Sequence, residues 1–400
     1  MKPDFLKTAL ILGLLSCVGP FAIDMYLPAM PAMAEGYGVP VAATQYTLVS
    51  FFVAFGACQL LYGPAADMFG RKPPLYFGLV LFILASVGCA LAPSIDWLIA
   101  LRALQGVGAA SVMSIPRAII RDRYTGTEAT RLMTTVMLVI SISPMLAPLV
   151  GSALIIPFGW PSIFYAVALA TVISLLLTAY ALPETLPADA RVPFRFSAMG
   201  NAFRTLFRDA HFLGLTLIGG MGMASFFTFL STASFLYTGY YGLTPTQFSL
   251  AFALNALGFF ASSQFAANLC ERFGAVTVVR WAVGGFTCSA LLMLCLFMLR
   301  FDSFALLVAL LLVGNTFLGL VIPTSMVLSL DHHGPIAGTA AALGGTLQMM
   351  LGAAAIGIVS ALFDGTPLVL VASIAGCAVL AAMLATLTLR QPPAAIISQY

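Results

Sequence analysis

The sequence predicts an all-α membrane protein, with twelve transmembrane helices in two pseudo-symmetric bundles of six. Three observations lead there. Of 400 residues, 61% are hydrophobic and 8% charged, far from the composition of a water-soluble domain. Apolar windows of the roughly 20 residues needed to cross about 30 Å of hydrocarbon recur along the whole chain. The longest polar stretch, Pro183 to Asp209, falls between the sixth and seventh windows, dividing 1–182 from 210–400.

Taken in order, span one is expected over 8–31. It follows Lys2 and Lys7, as a signal peptide would. Its length, the internal Pro20 and Asp24, and an ending at Pro28–Pro31 without a small-residue cleavage site mark it as a retained helix. Spans two to six are placed at 44–66, 74–93, 96–120, 132–156 and 162–182. The linker, 183–209, carries Glu184, Asp189, Arg191, Arg195, Arg204, Arg208 and several prolines, with a short surface helix expected around Met199–Phe207. Spans seven to twelve follow at 211–238, 245–268, 275–299, 304–328, 337–362 and 367–389.

Lysine and arginine set the expected orientation. With the N-terminus in the cytoplasm, that side receives Lys2, Lys7, Arg71, Lys72, Arg117, Arg121, Arg123, Arg131, the linker arginines, Arg272, Arg280 and Arg390, while Arg300 stands alone outside. An odd number of spans would strand Arg390 on the wrong side. The net charge of +3 reflects this asymmetry and gives no reason to expect nucleic acid. Cysteines 17, 58, 89, 288, 295 and 377 fall within spans and Cys270 at a cytoplasmic helix end; without a C-x-x-C pair, neither disulfides nor a zinc site is expected. His211, at a helix start, and His332–His333, in a loop, are expected to be solvated rather than metal-bound.

An internal repeat supports the six-plus-six division. Span two reads TQYTLVSFFVAFGACQ from Thr44, and span eight TQFSLAFALNALGFFASSQ from Thr246. The Thr-Gln pair, the next aromatic, Leu48/Leu250 and Gly56/Gly258 match without gaps. Asp67-Met-Phe-Gly70 answers Glu271-Arg-Phe-Gly274 at the same end after a two-residue shift. One matched pair of apolar helices can arise by chance; the shared acidic-x-Phe-Gly ending makes duplication the better reading, as in transporters built from parallel repeats.

Of the charged residues, only Asp24 and Arg102 fall clearly inside apolar spans. A charge there costs several kcal/mol and marks function by default. Asp24 lies seven residues before Pro31, so about 10 Å inside the outer end of span one, and Arg102 six residues after Asp96, so about 9 Å inside the same face. They share a level. A carboxyl balanced between desolvation and a nearby guanidinium can exchange a proton; a static buried pair that fixes helix packing is the alternative. The second half has nothing charged in their place.

Four segments carry a family resemblance. The loop after span two, Gly63-Pro-Ala-Ala-Asp67-Met-Phe-Gly70-Arg71-Lys72, resembles the G-x-x-x-D-x-x-G-R-[RK] motif of the major facilitator superfamily, with Met68 where the family often has arginine. Gly63 would let a neighbouring helix approach, and Asp67 could face the N-terminus of span eleven, so that the loop acts as a gate. Arg102-Ala-Leu-Gln105-Gly106-Val-Gly108-Ala-Ala matches the superfamily's R-x-x-Q-G-x-G-A-A segment. A nucleotide reading of its glycines fails, since no strand precedes and no third glycine follows, and no G-x-x-x-x-G-K-[ST] loop for ATP occurs. Ser143-Pro144-Met-Leu-Ala147-Pro148-Leu-Val-Gly151-Ser152 resembles the superfamily's antiporter motif, with Ala147 and Ser152 replacing glycines. On residues alone a merely kinked packing helix fits as well; the resemblance tips the reading towards antiport. Finally, Asp24-Met-Tyr26-Leu27-Pro28-x-x-Pro31, Arg121-Asp-Arg-Tyr124 and Pro183-Glu184-Thr185 look like the Bcr/CflA drug-resistance branch.

That resemblance spans essentially the whole chain. It implies a monomeric drug/proton antiporter of the bacterial inner membrane that exports small apolar antibiotics of bicyclomycin or chloramphenicol type. The proton is its coupling ion, and no other cofactor is expected. Asp24 would carry the proton and Arg102 modulate it. Tyr26, Phe51, Phe55, Gln59, Gln105, Phe226, Phe227, Tyr237 and Asn255 are candidates for the drug cavity, although most such residues in a membrane protein are packing or lipid-facing. A proton-coupled importer or metabolite exporter of the same fold is the rival. An intramembrane enzyme would need a catalytic pair within spans, such as two Asp or Ser with His, and none occurs.

Overall fold

The computed structural model describes residues 3–191 and 196–390; Lys2 and Arg195 lie outside the described residues. The described residues form helices and connecting turns, with no strand among them. Twelve segments are long and apolar enough to span a bilayer, from Lys7–Tyr37 to Pro367–Thr388. The helices are α1 (Pro3–Asp24), α2 (Met30–Tyr37), α3 (Val41–Phe69), α4 (Lys72–Ala90), α5 (Ile95–Arg123), α6 (Gly126–Phe158) and α7 (Pro161–Ala181). After the linker come α8 (Phe196–Arg208), α9 (Ala210–Phe235), α10 (Pro245–Phe273), α11 (Ala275–Met298), α12 (Phe304–Leu330), α13 (Ala337–Leu362) and α14 (Pro367–Thr388). The surface helix expected near Met199–Phe207 is α8. It turns Ala202 and Leu206 inward and leaves Arg204, Phe207 and Arg208 exposed.

Span one differs from its expectation. It runs to Tyr37 but is broken: α1 stops at Asp24, a 3₁₀ turn occupies Leu27–Ala29, and α2 restarts at Met30. Pro28 and Pro31 cause this. Each lacks the N–H that would continue the preceding turn, yet each suits the first turn of a new helix. The two prolines, expected to end the span, are a break within it. Such breaks at membrane depth occur in transporters where released backbone groups find other partners.

Packing groups the chain into two compact units. One comprises Met1–Arg195, Phe229–Ala256 and Ala353–Thr366; the other comprises Phe196–Thr228, Leu257–Gly352 and Pro367–Tyr400. Thus α9, α10 and α13 each have one end in the first unit. Two hydrogen bonds fasten such ends there: Gln45 Nε2 donates to the Ser231 carbonyl (3.0 Å), and Ser249 Oγ to the Pro148 carbonyl (2.8 Å). In the second unit Leu215 and Ile218 of α9 meet Val279 and Val283 of α11, Val321 of α12 and Ala381 of α14.

Hydrocarbon offers helices no hydrophobic reason to associate, so close backbone contact at small residues takes that role. A Cβ on Gly106 of α5 would run into the Phe51 carbonyl of α3, and one on Gly319 of α12 into the Phe259 carbonyl of α10. These are equivalent helix pairs, two with four and eight with ten, in the two halves of the repeat. Large side chains such as Leu84, Phe158, Leu169 and Tyr180 point outward, a surface suited to lipid and not to water.

Candidate functional site

Asp24 is buried as the last residue of α1. Among the described residues it has no hydrogen bond and no ion pair; the acid–base pairs found are those of Arg71 and His333. Arg102 lies against the same turn of α1 and is fully buried, but it is bonded to the backbone and not to Asp24. Its Nη1 donates to the Ala22 carbonyl (3.2 Å) and to Gln105 Oε1 (2.6 Å). Ala22 ends a turn whose usual donor, the Tyr26 N–H, makes no such bond where the helix stops. The guanidinium therefore caps a helix C-terminus, the end that favours a cation.

Helical geometry explains the missing ion pair. Ala22 and Tyr26 face Arg102, and a residue two positions from each is rotated by about 200°. Sharing a level did not mean sharing a face. Arg102 is instead enclosed by aromatic rings, with its Cζ 4.5 Å from the centroids of both Tyr26 and Phe51. Desolvated contacts of this kind are worth about 2 kcal/mol each. Gln105 extends the network: its Nε2 donates to Ser86 Oγ (2.7 Å), which donates to the Phe82 carbonyl (2.6 Å). Tyr26 O–H donates to Thr47 Oγ1, whose own proton goes to the Thr44 carbonyl.

Other cavity candidates divide. Phe51 also stacks on Phe55 at 6.1 Å. Gln59 has a buried Oε1 without a partner, and Asn255 gives Nδ2 to the Ala251 carbonyl while its Oδ1 has none. Tyr237 is packed between Phe229 and Phe248, Phe226 stacks on Phe259, and the Phe227 ring fills the space beside Gly352. These are packing contacts. Tyr26, Phe51 and Gln105 are the candidates that converge on one charged group.

The loop after α3 is tightly built. Arg71 Nη1 donates to Asp67, and its Nε and Nη2 clasp Asp122 at 2.7 and 3.1 Å. Burial opposes the charge of Arg71, but the hydrogen bonds and charges of Asp122 and Asp67 raise its pKa above the ordinary value. Glu184 accepts four backbone N–H bonds, from Arg71, Lys72, Thr185 and Leu186. Burial alone would raise its pKa; those four donors lower it below the usual carboxylate value. Gly70 is required beside it. Its φ is +96°, and a Cβ would meet Glu184 Oε2 at 2.9 Å. Lys72 Nζ donates to the Leu182 carbonyl (2.8 Å), just past the end of α7. Gly63 does not play its expected part, because nothing stands within 4 Å of where its Cβ would be. The partner of Asp67 in this structure is Arg71 on the following turn.

In α6, Pro144 and Pro148 lie within a continuous helix. A Cβ on Gly151 would strike the backbone at Met25, next to Asp24, so this motif packs α6 against the break in span one. Pro148 offers its carbonyl to Ser249 from the same helix. Sequence reasoning missed Ser86, Thr47, Gln45 and Ser249, which carry ordinary polar side chains and are distinguished only by what they touch. Asp122 and Glu184 stood in recognisable motifs, but their bond partners lie 51 and 113 residues away.

Comparison with known proteins agrees with this architecture. The sequence model of the Major Facilitator Superfamily matches residues 12–357. The chain is 33% identical over 353 residues, 87% of either chain, to an MFS-type transporter, YdgK, of Bacillus subtilis. It is 28% identical to a bicyclomycin resistance protein homolog of Haemophilus influenzae over 94% of both chains, and 31% identical to a chloramphenicol resistance protein of Pseudomonas aeruginosa over 72% of this chain and 67% of that one. Among solved structures, a D-xylose–proton symporter shares the fold with a TM-score of 0.75 at 16% identity, over 95% of this chain and 97% of its own. The twelve apolar helices, the glycine-tight helix pairs and these matches lead to one conclusion: the chain belongs to the Major Facilitator Superfamily of membrane transporters, among relatives that bear drug-resistance names.

Proposed function

We propose that this transporter is a drug/proton antiporter of the bacterial inner membrane, with both termini in the cytoplasm and Asp24 as its proton carrier. The carrying observation is a carboxyl group buried at a break in a membrane span, without a fixed counter-charge. A permanently paired carboxylate cannot change its charge cheaply; an unpaired one can take or release a proton as its surroundings change. The α6 motif, with its antiporter resemblance, packs on that break. In this reading the two six-helix halves of the sequence are the moving bodies, and the Asp67–Arg71–Asp122 cluster belongs to the cytoplasmic gate.

The names of the relatives support small antibiotics as substrates. Exchange of one proton for one neutral drug moves one charge, so about 150 mV contributes roughly 3.5 kcal/mol, a gradient of some 300-fold. The test is drug-induced proton release from purified protein and drug efflux from energised vesicles. Asp24→Asn keeps shape and hydrogen bonding but cannot ionise. It is expected to abolish proton release and proton-driven efflux while uncharged drug still binds. Undiminished proton release from the variant would move the proton site elsewhere.

A further inference from the structure

Arg102 uses only one of its three nitrogens. Nη1 is occupied by Ala22 and Gln105, whereas Nε and Nη2 are buried and have no hydrogen-bond partner among the described residues. Those two atoms form the side edge of the guanidinium fork, which offers two parallel N–H groups to a planar group with two acceptor oxygens. The remaining faces are taken, since Tyr26 and Phe51 cover the plane from 4.5 Å. Gln105, the residue best placed to satisfy the arginine, is itself held by Ser86. The fork is thereby oriented by neighbours on α1, α3, α4 and α5, and its unpartnered edge is the part left to act.

Burying donors without acceptors costs stability, and for a charged group the cost is large. Packing could have removed it, because Ser, Thr and Gln side chains are plentiful in these helices. From this unmatched edge we infer that Arg102 is a substrate-binding residue, and that the Nε–Nη2 edge seats a planar two-oxygen acceptor group on the transported molecule: a carboxylate, or a neutral nitro group of the same shape. Asp24 does not compete for it in this structure, because no hydrogen bond or ion pair joins Asp24 to Arg102. The inference rests on the reading of the chain as an exporter of small apolar molecules and narrows the class to those carrying such a group on an apolar body.

Three ligands of one shape test it in the purified full-length protein: 2-naphthoate, 2-nitronaphthalene and 2-isopropylnaphthalene, measured by equilibrium dialysis without a proton gradient. The wild-type protein is expected to bind one or both of the two-oxygen ligands about ten-fold more tightly than the apolar one. Preference for the naphthoate alone identifies an acid, and preference for both identifies the shared shape. Arg102→Lys keeps the charge but not the fork, and should remove the preference for the nitro ligand and reduce that for the naphthoate to what a point charge gives. Equal binding of the three by wild-type protein, which needs no variant to fold, overturns the inference. So does a preference that survives undiminished in Arg102→Lys. A preference that emerges only in Asp24→Asn would assign the edge to Asp24 itself and would also overturn it. Because no gradient is involved, failure of proton coupling leaves these results unchanged.

Discussion

At the scale of single residues, the site is a set of neighbours that hold one cation away from water. Gln105 is central: it accepts from Arg102 and donates to Ser86 with no exposed surface. Gln105→Leu has nearly the same volume but removes both bonds, leaving Nη1 with the Ala22 carbonyl alone. A lost partner of a buried charged donor costs about 1–3 kcal/mol. Thermal unfolding in detergent should report it as a fall in Tm, whereas Gln105→Glu, which keeps an acceptor, should lose less. An unchanged Tm in the leucine variant would mean that Ala22 suffices. Asp24 and Arg102 were visible in the sequence because a charge in an apolar span is conspicuous. Their separation was not, because depth along a helix follows from counting while facing depends on where that helix breaks.

At the scale of elements, apolar windows located all twelve spans, because hydropathy is a property of composition that every neighbour shares. They did not locate the break in span one, where proline-rich residues are as apolar as helical ones. Nor did they show that the turn after α7 clamps the start of α4. That clamp has a definite pH response. Glu184 has a lowered pKa in the folded protein, so its contribution is present above the unfolded value of about 4.3 and is lost as pH falls through the lower folded value. Across physiological pH it is fully ionised. Hydrogen exchange at the amides of Arg71, Lys72, Thr185 and Leu186 should therefore be slow and level in free-energy terms at neutral pH. Protection should weaken only in strong acid. Glu184→Ala removes the shared acceptor and should expose all four amides together at neutral pH; loss at Thr185 and Leu186 alone would show that the α4 end is held by Lys72 and Arg71 side chains instead.

At the scale of the whole molecule, the unequal distribution of basic residues argues for the orientation. Counting spans from a cytoplasmic N-terminus assigns Arg71, Lys72, Arg121, Arg123 and the arginines of α8 to the cytoplasm and Arg300 to the outside. Retaining positive loops on the cytoplasmic side is a rule of insertion, independent of any transport mechanism, so it can be tested without a substrate. Two exposed positions that the span count assigns to opposite sides serve: Glu35 in α2 and Arg208 in α8. Neither makes an ion pair among the described residues. With the seven native cysteines replaced, Glu35→Cys should react with a membrane-impermeant maleimide applied to intact spheroplasts, and Arg208→Cys should react only after the membrane is permeabilised. The reverse pattern would invert the protein. Inversion would place the break at Asp24 near the cytoplasm, but the proton-motive force would still drive export, because the exchange stoichiometry and not the insertion sets the direction. Labelling of both sites in intact cells would mean that the surface helix α8 and α2 share a side, which twelve spans and their intervening turns do not permit.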